Sequence, residues 1–369
     1  MKALFIITGL FPGGAEKIVL ETVRCLVKTG HHAAVVSLQE EPSPNENAIV
    51  LELEKLGVRP YFLNLSLLRG FRFLTLLRII RKEAPDVVHS HLMHANLTAR
   101  LARLFLRFPL VNTVHIAERR NALKIKILFL LDRLSVRLCD VYTAVSNAAA
   151  RFHEQQCGLP AGTLRTVYNG SDRVEPKPEP ELAELCRQWG LDGVRKRIGS
   201  IGRLDHQKGY DIFLRGLVAL RPLIPAGERW GVLLIGDGPE RTALERIAEE
   251  MERELPEIKI VLPGYRPDAA SLLPMLDLFV MPSRYEGFGL ALTEALSLGI
   301  PALCSMADSL PELCAMSPEN TLTADFTTPD MTEIYRRALK LPRLNGQVFQ
   351  STEKMAEEYL ALYREISRK

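Results

Sequence analysis

Two carboxylates and two glycines lie close together in the segment 282–299. The apolar run 278–281 predicts a buried strand before this segment, and an Ala- and Leu-rich run from Leu290 to Gly299 predicts a helix. The two glycines lie between strand and helix. Glycines at such a turn let a ligand approach the backbone, and the unpaired N–H groups of a helix N-terminus attract an anion such as a diphosphate.

The carboxylates Glu286 and Glu294 flank the start of this predicted helix. Glu286 precedes the helix, and Glu294 lies about one turn inside it. Both side chains can therefore face a ligand lying across the helix start, where carboxylates accept hydrogen bonds from hydroxyl groups. A diphosphate that carries many hydroxyls is a nucleotide sugar, and the segment predicts a site for one.

The loop 202–209 is a second candidate for anion binding, because it follows a predicted strand and precedes a predicted helix. Arg203 offers a planar fork of donors and Lys208 a point charge, a pair that suits two phosphates. The alternative for this loop alone is two solvated cations. Glycine-containing turns also follow the predicted strands before 236–239 and 263–266, so four such turns are expected at one sheet edge.

In the first half of the chain, the candidates are a glycine turn and a histidine. Gly13 and Gly14 precede a predicted helix and could admit a phosphate, with a tight turn without ligand as the alternative. His115 directly follows the predicted strand 110–114, and ligands of parallel sheets bind beyond the carboxyl ends of strands. Since a packed or solvated histidine is the commoner case, only the position of His115 favours a function.

Alternating strands and helices are predicted to carry these residues. The alternation runs over 3–168 and again over 197–304, which is typical of parallel sheets covered by helices in an α/β protein. The Pro- and charge-rich segment 171–180 predicts a linker and a domain boundary near residue 170. Predicted helices include 67–83, 210–220 and 268–276.

Composition limits the classes of protein. A chain of 369 residues exceeds the usual size of one core, so two domains are expected. The net charge of +3, from 47 basic and 44 acidic residues, is too near balance to indicate nucleic-acid binding. The six cysteines show no metal-ligand spacing, which favours reduced thiols and the cytosol. No apolar run approaches a membrane-spanning length, so any membrane association is expected to be peripheral.

Several catalytic motifs are missing from the sequence. No Asp-x-Asp pair occurs, so the arrangement by which many sugar transferases hold a divalent ion is missing. Cations and a helix dipole are then expected to neutralise a departing diphosphate. Without a Walker loop, a Gly-x-Ser-x-Gly elbow or a His-Glu-x-x-His motif, ATPase, hydrolase and zinc-protease functions lose support.

Together these motifs resemble those of the retaining family 4 glycosyltransferases, which have the GT-B fold. The resemblance covers most of the chain and rests on the turn 13–16, His115, Arg203 with Lys208, and the stretch from Glu286 to Glu294. It implies two Rossmann-like domains whose parallel sheets face each other across a cleft. Residues 1–170 would form the acceptor-side domain, with the helix in 350–369 packing back on it, and residues 171–349 would bind the nucleotide sugar. No metal or other cofactor would be required.

The resemblance also implies a role for each matching residue. In the implied catalytic group, Arg203 and Lys208 would bind the diphosphate and stabilise charge on the departing nucleotide. Glu286 would hold hydroxyls of the sugar, and His115 would approach this sugar from the first domain. Glu294 would hold the ribose hydroxyls. The other implied donor contacts are Gly14, Gly264, Tyr265, Arg266, Gly287, Phe288, Gly289 and Leu290. Because the family has no accepted protein nucleophile, Glu286 is not assigned as one.

Two segments depart from the family pattern. Residues 307–312, which include Asp308 and Ser309, stand where the family commonly has a glycine pair before Pro-Glu. The segment 168–170 lacks the common proline. We expect the first departure to alter donor contacts and the second to affect only the hinge.

The predicted reaction is the metal-independent, retaining transfer of a hexose or N-acetylhexosamine from a nucleotide sugar, with uridine as the expected base. The expected acceptor is a glycan or lipid-linked saccharide of cell-surface polysaccharide biosynthesis. Basic amphipathic helices at 67–82 and 119–137 favour contact with anionic lipid, and hence a cytoplasmic protein peripheral on the inner face of the plasma membrane. The alternative for these helices is a core face with a solvated face.

Two other functions stay open. A nucleotide-sugar epimerase of the same architecture would change its substrate without an acceptor. A binding protein could keep the pocket without turnover, although the full set of Arg203, Lys208, Glu286 and Glu294 argues against it.

Overall fold

The computed structural model describes residues 1–44, 47–65, 67–115 and 123–367, with the backbone alone for 67–69. The chain divides into two compact units, Met1–Gly170 with Gln350–Lys369, and Ser171–Phe349, here called unit 1 and unit 2. Each unit has a parallel β-sheet with helices, which confirms the predicted α/β class. No helix in the described part of the chain is long and apolar enough to span a membrane.

Unit 1 contains the strands β1 Lys2–Ile7, β2 His32–Ser37, β3 Tyr61–Phe62, β4 Val87–His91, β5 Leu110–Val114, β6 Val141–Ala144 and β7 Arg165–Thr166. Its helices are α1 Gly14–Lys28, α2 Ala48–Lys55, α3 Phe73–Glu83, α4 Met93–Arg103, α5 Leu123–Ser135 and α6 Asn147–Cys157, with 3₁₀ helices at Leu67–Arg72 and Val136–Leu138. Ser146 caps the N-terminus of α6, since the Ala149 N–H donates to Ser146 Oγ at 3.0 Å.

The sheet of unit 1 has the order β3-β2-β1-β4-β5-β6-β7, all parallel. The direction of the chain across the sheet reverses at β1, so right-handed crossovers place α1 and α2 on one face and α3 to α5 on the other. Leu4, Ile6 and Val88 point to the face that packs against α3 and α4. Side chains alternate along a strand, so His89 and His91 point to the opposite face. Because His91 pairs in register with Thr113, His91 and His115 meet at one edge.

Unit 2 contains the strands β8 Lys196–Ile201, β9 Trp230–Ile235, β10 Ile258–Gly264, β11 Leu278–Met281, β12 Ala302–Ser305 and β13 Thr321–Ala324. Its helices are α7 Glu179–Gln188, α8 Tyr210–Arg215, α9 Arg241–Glu254, α10 Leu290–Ser297, α11 Leu310–Cys314 and α12 Met331–Ala338, with 3₁₀ helices at His206–Lys208, Gly216–Leu223 and Ala269–Met275. The parallel order is β10-β9-β8-β11-β12-β13. The order reverses between β8 and β11, and ligands of such sheets bind outside the strand ends at that point.

The last helix, α13 Thr352–Ser367, belongs to unit 1 and packs against α1. Its Tyr359 and Tyr363 are fully buried. The returning chain crosses close to Gly170, where a Cβ would lie 2.5 Å from Thr352 Cα. Glycine is therefore required at position 170, because any side chain there would displace the backbone of the returning segment.

Several predicted elements were wrong in type or length. The predicted helix 210–220 is α-helical only to Arg215 and continues as a 3₁₀ helix that contains Pro222. The predicted helix 268–276 is a 3₁₀ helix, Ala269–Met275, with Pro274 inside it. Proline lacks the N–H that an α-helix interior needs, which explains both. The predicted helix 67–83 begins with a 3₁₀ turn that contains Gly70. The start of predicted helix 119–137, with Arg119 and Arg120, lies outside the described residues.

Candidate active site

Glycines let the strand-end turns of unit 2 pack backbone against backbone. A Cβ on Gly236 would lie 1.9 Å from the Gly202 carbonyl oxygen, and one on Gly238 would lie 2.3 Å from the Leu204 carbonyl oxygen. The Gly236 N–H in turn donates to the Gly264 carbonyl at 3.0 Å. The turns after β8, β9 and β10 therefore converge on one edge, as the sequence predicted, and their glycines serve this close packing.

The loops after β8 and β11 are joined directly. Gly209 has a φ of +66°, and a Cβ on it would lie 2.2 Å from the Pro282 carbonyl oxygen. The Arg284 N–H donates to the Gln207 carbonyl at 2.8 Å. The Arg284 guanidinium donates to both carboxylate oxygens of Asp211, at 2.7 and 2.6 Å. These hydrogen bonds hold the pKa of Asp211 below its usual range. Sequence reasoning missed this pair, although Arg284 lies in the glycine-rich stretch.

Lys208 and Glu286 meet in an ion pair, with Lys208 Nζ 2.7 Å from Glu286 Oε2. Ser283 Oγ also donates to this oxygen, at 3.3 Å. Only 17% of the Lys208 side chain and 10% of that of Glu286 are exposed. Burial alone would lower the pKa of the Lys208 ammonium, but the adjacent Glu286 carboxylate outweighs it and raises this pKa. Lys208 is therefore a fixed positive charge at the edge of the sheet.

Arg203 differs from Lys208 in its exposure. Its side chain is 68% exposed, and its Nε lies 3.7 Å from Asp205 Oδ2, beyond hydrogen-bond distance. The guanidinium therefore faces solvent, where a diphosphate could reach it. Unit 2 thus offers one mostly buried cation and one exposed cation on the same loop.

The stretch from Glu286 to α10 forms the turn that the sequence predicted. Gly289 has a φ of +99°, a conformation that favours glycine, and α10 begins at the next residue, Leu290. Gly287 and Phe288 are buried, and the Phe288 ring packs edge-on against Phe349 with centroids 5.8 Å apart. Glu294 lies inside α10 and is 7% exposed.

The segment that the resemblance places beside the base is partly engaged in an ion pair. Gly264 has a φ of +90°, and Tyr265 is 52% exposed. Arg266 donates to both carboxylate oxygens of Asp268 at 2.9 Å, and this contact raises the pKa of the guanidinium. Lys177 Nζ lies 3.3 Å from the same carboxylate. Arg266 is therefore held by Asp268, while the Tyr265 ring is open to solvent.

In unit 1, His115 lies at the end of β5 and pairs with a second buried histidine. His91 Nδ1 lies 2.8 Å from His115 Nε2, and the two rings are 5.1 Å apart between centroids. Burial lowers the pKa of His115 to about 3 and that of His91 well below its ordinary value. Both imidazoles are therefore neutral near pH 7, with one donating to the other. Sequence reasoning missed His91 as the partner, although both residues end neighbouring strands.

A third histidine continues this row toward α13. His89 Nδ1 lies 2.6 Å from the Tyr363 hydroxyl, and His89 Nε2 lies 2.7 Å from Thr113 Oγ1. Thr143 Oγ1 lies 2.6 Å from Thr113 Oγ1 and 3.1 Å from the Asn112 carbonyl, which can only accept. Thr143 therefore donates to this carbonyl and accepts from Thr113. His89 then donates from Nε2 and accepts from Tyr363 at Nδ1.

Gly14 is the exposed first residue of α1, and Gly13 before it has an extended backbone. A Cβ on Gly13 would lie 2.4 Å from Glu16 Oε2. The Glu16 carboxylate thus lies against this turn, beside the first N–H groups of a 15-residue helix. This placement agrees with the predicted glycine turn, and its proposed diphosphate contact stays a prediction.

Asp132, His153 and Cys157 form a group of three potential metal ligands among the described residues, all buried in unit 1. The Asp132 carboxylate already accepts from Arg100 Nη1 at 2.9 Å and from the Tyr142 hydroxyl at 3.0 Å. A buried guanidinium and His153 Nε2, which lies 2.9 Å from Asp132 Oδ2, therefore already engage this carboxylate within the core.

Family models match both halves of the chain. The model described as Glycosyltransferase Family 4 matches residues 12–174, within and just beyond unit 1. The model described as Glycosyl transferases group 1 matches residues 195–341, within unit 2. Together the two matches account for most of the sequence.

Two of the curated relatives are bacterial sugar transferases of surface polysaccharide assembly. The lipopolysaccharide core biosynthesis mannosyltransferase LpsB of Rhizobium meliloti is 29% identical over 220 residues, which are 55% of this chain and 62% of that protein. The UDP-Gal:alpha-D-GlcNAc-diphosphoundecaprenol alpha-1,3-galactosyltransferase of Escherichia coli is 27% identical over 294 residues, 73% of this chain and 75% of that protein. This chain thus spans less than two thirds of the mannosyltransferase.

Solved structures support the fold. The Anabaena protein HepE, in complex with UDP and glucose, has a TM-score of 0.76 at 21% identity, covering 99% of this chain and 95% of that chain. The sucrose-phosphate synthase of Thermosynechococcus elongatus has a TM-score of 0.76 at 18% identity, covering 99% of both chains. These structures show the GT-B fold, and the two family models, which together match 12–174 and 195–341, show that the chain belongs to the family 4 and group 1 glycosyltransferases.

Proposed function

We propose that this protein is a retaining glycosyltransferase that moves a hexose or N-acetylhexosamine from a UDP-sugar to a glycan or lipid-linked saccharide of the cell surface. The observation that carries the proposal is the Lys208–Glu286 ion pair in unit 2, beside the solvent-facing Arg203 on the same loop. This arrangement offers positive charge for a diphosphate and a carboxylate oxygen for sugar hydroxyls.

The relatives support the donor and acceptor classes in this proposal. HepE was solved with UDP and glucose, and the Escherichia coli relative is named for UDP-Gal and a diphosphoundecaprenol-linked acceptor. The Rhizobium meliloti relative is named for lipopolysaccharide core biosynthesis. A uridine-based donor and an acceptor of surface polysaccharide assembly, used on the cytoplasmic side, are therefore our choice for this chain.

In the proposed reaction, the bond between the anomeric carbon and the diphosphate oxygen breaks, and an acceptor hydroxyl bonds to the same face of the sugar. Arg203 and Lys208 stabilise the negative charge that collects on the departing diphosphate, and the proton of the acceptor passes to this leaving group. Glu286 accepts hydrogen bonds from the transferred sugar, and Glu294 accepts them from the ribose.

For the remaining residues we propose contacts from the family resemblance. The neutral imidazole of His115 in unit 1 forms a hydrogen bond with the transferred sugar. The Gly14 backbone binds the diphosphate. The backbone from Gly287 to Leu290 contacts sugar and phosphate, and the segment from Gly264 to Arg266 borders the base.

We further propose that charge neutralisation by the two cations makes a metal unnecessary. Addition of excess EDTA should then change the rate of sugar transfer by less than about 2-fold. Addition of Mg²⁺ or Mn²⁺ to the EDTA-treated, dialysed protein should not raise this rate. Strict dependence on a divalent ion would overturn this part of the proposal and leave the donor assignment intact.

The proposal is tested by screening uridine, guanosine and adenosine diphosphate sugars for thermal stabilisation and for slow hydrolysis without acceptor. A donor at about 100 times its Kd stabilises the folded protein by roughly 2.7 kcal/mol, which a melting curve detects. We expect the uridine series to stabilise most. Conversion of the donor to an epimer without acceptor would instead support the epimerase, and binding without any turnover would support a binding protein.

Membrane contact of unit 1 is a second proposal, carried by the exposed face of α5. Leu123, Ile127, Leu130 and Leu134 recur every three or four residues along one side of this helix, and Leu123 and Leu134 are 74% and 72% exposed. Lys124, Lys126 and Arg133 are exposed basic residues of α5, and its acidic residue, Asp132, is buried.

The same face of the unit 1 sheet carries further exposed apolar side chains from α3, α4 and the turns beside them, namely Phe71, Leu74, Leu101, Leu104 and Phe105. A leucine stripe bordered by cations suits the interface of an anionic bilayer, where the apolar side chains enter the lipid and the cations meet phosphates. Such a surface would bring the enzyme to a lipid-linked acceptor.

Flotation with phosphatidylcholine vesicles that contain phosphatidylglycerol tests this surface. We expect the native protein to float with these vesicles and not with phosphatidylcholine alone. The pair Lys124→Glu and Lys126→Glu should abolish flotation, whereas Lys28→Glu, an exposed cation on α1 at the opposite face, should leave it unchanged. A native protein that stays unbound would overturn the membrane proposal.

A further inference from the structure

Asp308 holds a main-chain amide of the site from a strained backbone conformation. Its φ is +43°, in the left-handed region, and it is the only residue other than glycine with positive φ in unit 2, all of which the structure describes. The Glu286 N–H donates to Asp308 Oδ2 at 2.8 Å. A strained residue persists only when its surroundings hold it, and such residues cluster at functional sites.

Two serines near Asp308 in the sequence bind the same stretch of chain. Ser309 Oγ donates to the Phe288 carbonyl at 2.8 Å and lies 3.2 Å from the Glu286 carbonyl. Ser305 Oγ donates to the Ser283 carbonyl at 2.6 Å. The last residue of β12 and the loop after it thus fix the backbone of 283–288 through three side chains. Of these three side chains, Asp308 is the one that accepts a hydrogen bond from the Glu286 N–H, whereas the serines donate to carbonyl groups.

Glu286 is held through its carboxylate and its N–H group, and its carbonyl lies beside Ser309 Oγ. Its carboxylate pairs with Lys208, and its amide pairs with Asp308. If the contact at the amide is lost, the peptide before Glu286 can rotate, and the carboxylate then leaves the position that Lys208 and Ser283 define. The amide contact is therefore one of the hydrogen bonds that fix the main chain from which this carboxylate projects.

We propose that Asp308 is a positioning residue that fixes Glu286 for the nucleotide-sugar donor through the Glu286 amide. This inference rests on the proposed function, because Glu286 is there the group that receives the sugar hydroxyls. It assigns a role to the segment 307–312, where this chain departs from the glycine pair of its family. Where the family commonly has glycine, this chain has a side chain that accepts a hydrogen bond from the Glu286 N–H.

Three variants separate the hydrogen bond from the strain. Asp308→Gly removes the acceptor and suits the left-handed conformation. Asp308→Asn keeps an acceptor oxygen and also tolerates this conformation. Asp308→Ala removes the acceptor and keeps the strain, so it is expected to be the least stable of the three.

For Asp308→Gly we expect a loss of about 10-fold or more in kcat/KM for the donor, with KM for the acceptor unchanged, because a hydrogen bond to a charged group is lost. Its Tm should stay within about 3 °C of the native value, since the strain is removed with the contact. Asp308→Asn should retain at least about one third of the native kcat/KM. Native-like kinetics for Asp308→Gly would overturn the proposal, as would an Asp308→Asn enzyme as impaired as Asp308→Gly.

Hydrogen exchange at the Glu286 amide, measured at single-residue resolution, gives a readout that does not need turnover. The amide should exchange about 10-fold faster in Asp308→Gly than in the native protein and Asp308→Asn. Unchanged exchange would refute the contact. If the exchange result holds and no nucleotide sugar binds the native protein, the proposed function fails while the role of Asp308 in holding Glu286 stands.

Discussion

The two units carry similar parallel sheets but place opposite kinds of polar groups at their strand ends. At the ends of β4 and β5, unit 1 has the buried, neutral imidazoles of His91 and His115. At the ends of β8 and β11, unit 2 has the charged pair Lys208 and Glu286. Neutral imidazoles suit hydrogen bonds to uncharged hydroxyls, and fixed cations suit a diphosphate. The two sheets therefore differ in the polar groups that follow their strands, and this difference matches the separate roles that we propose for the two units.

Backbone strain accompanies both strand-end sites. Leu92, which follows His91, has a φ of +74°, and Asp308, which binds the Glu286 amide, has a φ of +43°. A leucine rarely adopts a positive φ without support from the fold, and an aspartate adopts it at a smaller cost. Each unit thus uses a strained residue beside the polar groups that we propose to meet the substrates.

The largest effect is expected from Lys208→Ala. The variant removes the buried cation of unit 2 and leaves the Glu286 carboxylate without its partner, so kcat/KM for the donor should fall by about 10²- to 10³-fold. The Tm should also fall by several degrees, because a mostly buried charge loses its partner. Steady-state kinetics and a melting curve check both.

Lys259→Ala, which removes a partly exposed cation at the start of β10, is the matched control, and its kcat/KM for the donor should stay within about 2-fold of the native value. Native-like kinetics in Lys208→Ala would contradict the site.

A smaller effect, without loss of stability, is expected from Arg203→Ala. The guanidinium is exposed and makes no close ion pair, so the Tm should change by about 1 °C or less. The same variant should lower kcat/KM for the donor by about 10- to 100-fold, because it removes charge-assisted hydrogen bonds to phosphate. If Arg203→Ala loses stability but keeps its activity, the proposed role of Arg203 is wrong, because this residue would then stabilise the fold and not bind the donor.

The smallest effect concerns acid pH and separates the two units. Burial depresses the pKa of His89, His91 and His115 in unit 1, so the unfolded chain binds more protons than the folded one. Above about pH 6.5 these histidines are neutral in both the folded and the unfolded chain. As the pH falls below that value, the unfolded chain takes up protons first, so the free energy of unfolding decreases. In unit 2, hydrogen bonds depress the pKa of Asp211 and Asp268, whose contribution is lost only below about pH 4.

Unit 1 should therefore loosen before unit 2 between pH 6.5 and 4.5. Hydrogen exchange of peptides from β4 and β5 reports on unit 1. The fluorescence of Trp189 and Trp230, the two tryptophans of the chain, reports on unit 2. Simultaneous loss of both signals would contradict the difference between the units.

The sequence was sufficient for features that depend on local pattern. The turn before α10 followed from an apolar run, glycines and a helix pattern, and the structure has its helix start at Leu290 as predicted. The close approach of the 202–209 and 282–289 loops followed from the rule that ligands and turns gather at strand ends. Helix type was predicted less well where Pro222 and Pro274 interrupt apolar runs.

Features that depend on contacts distant in sequence could not be predicted. Helix α7 begins inside the predicted linker, because Pro180 near its start is tolerated where helix N–H groups are unpaired anyway. The short elements α11 and β13 were missed, since neither has a long apolar pattern. The amide contact of Asp308 with Glu286, the His91–His115 pair and the Tyr363–His89 bond all join separate segments, and no local spacing indicates them.

The central claim is that the cations of unit 2 recognise the diphosphate of the donor. The most direct test is the calorimetric affinity of the full chain for UDP compared with uridine, in the native protein and in Arg203→Ala and Lys208→Ala. We expect the native protein to favour UDP by about 100-fold or more, and each variant to lose at least about 10-fold of this preference while its affinity for uridine stays unchanged. Equal preference for UDP in the native protein and both variants would contradict the claim.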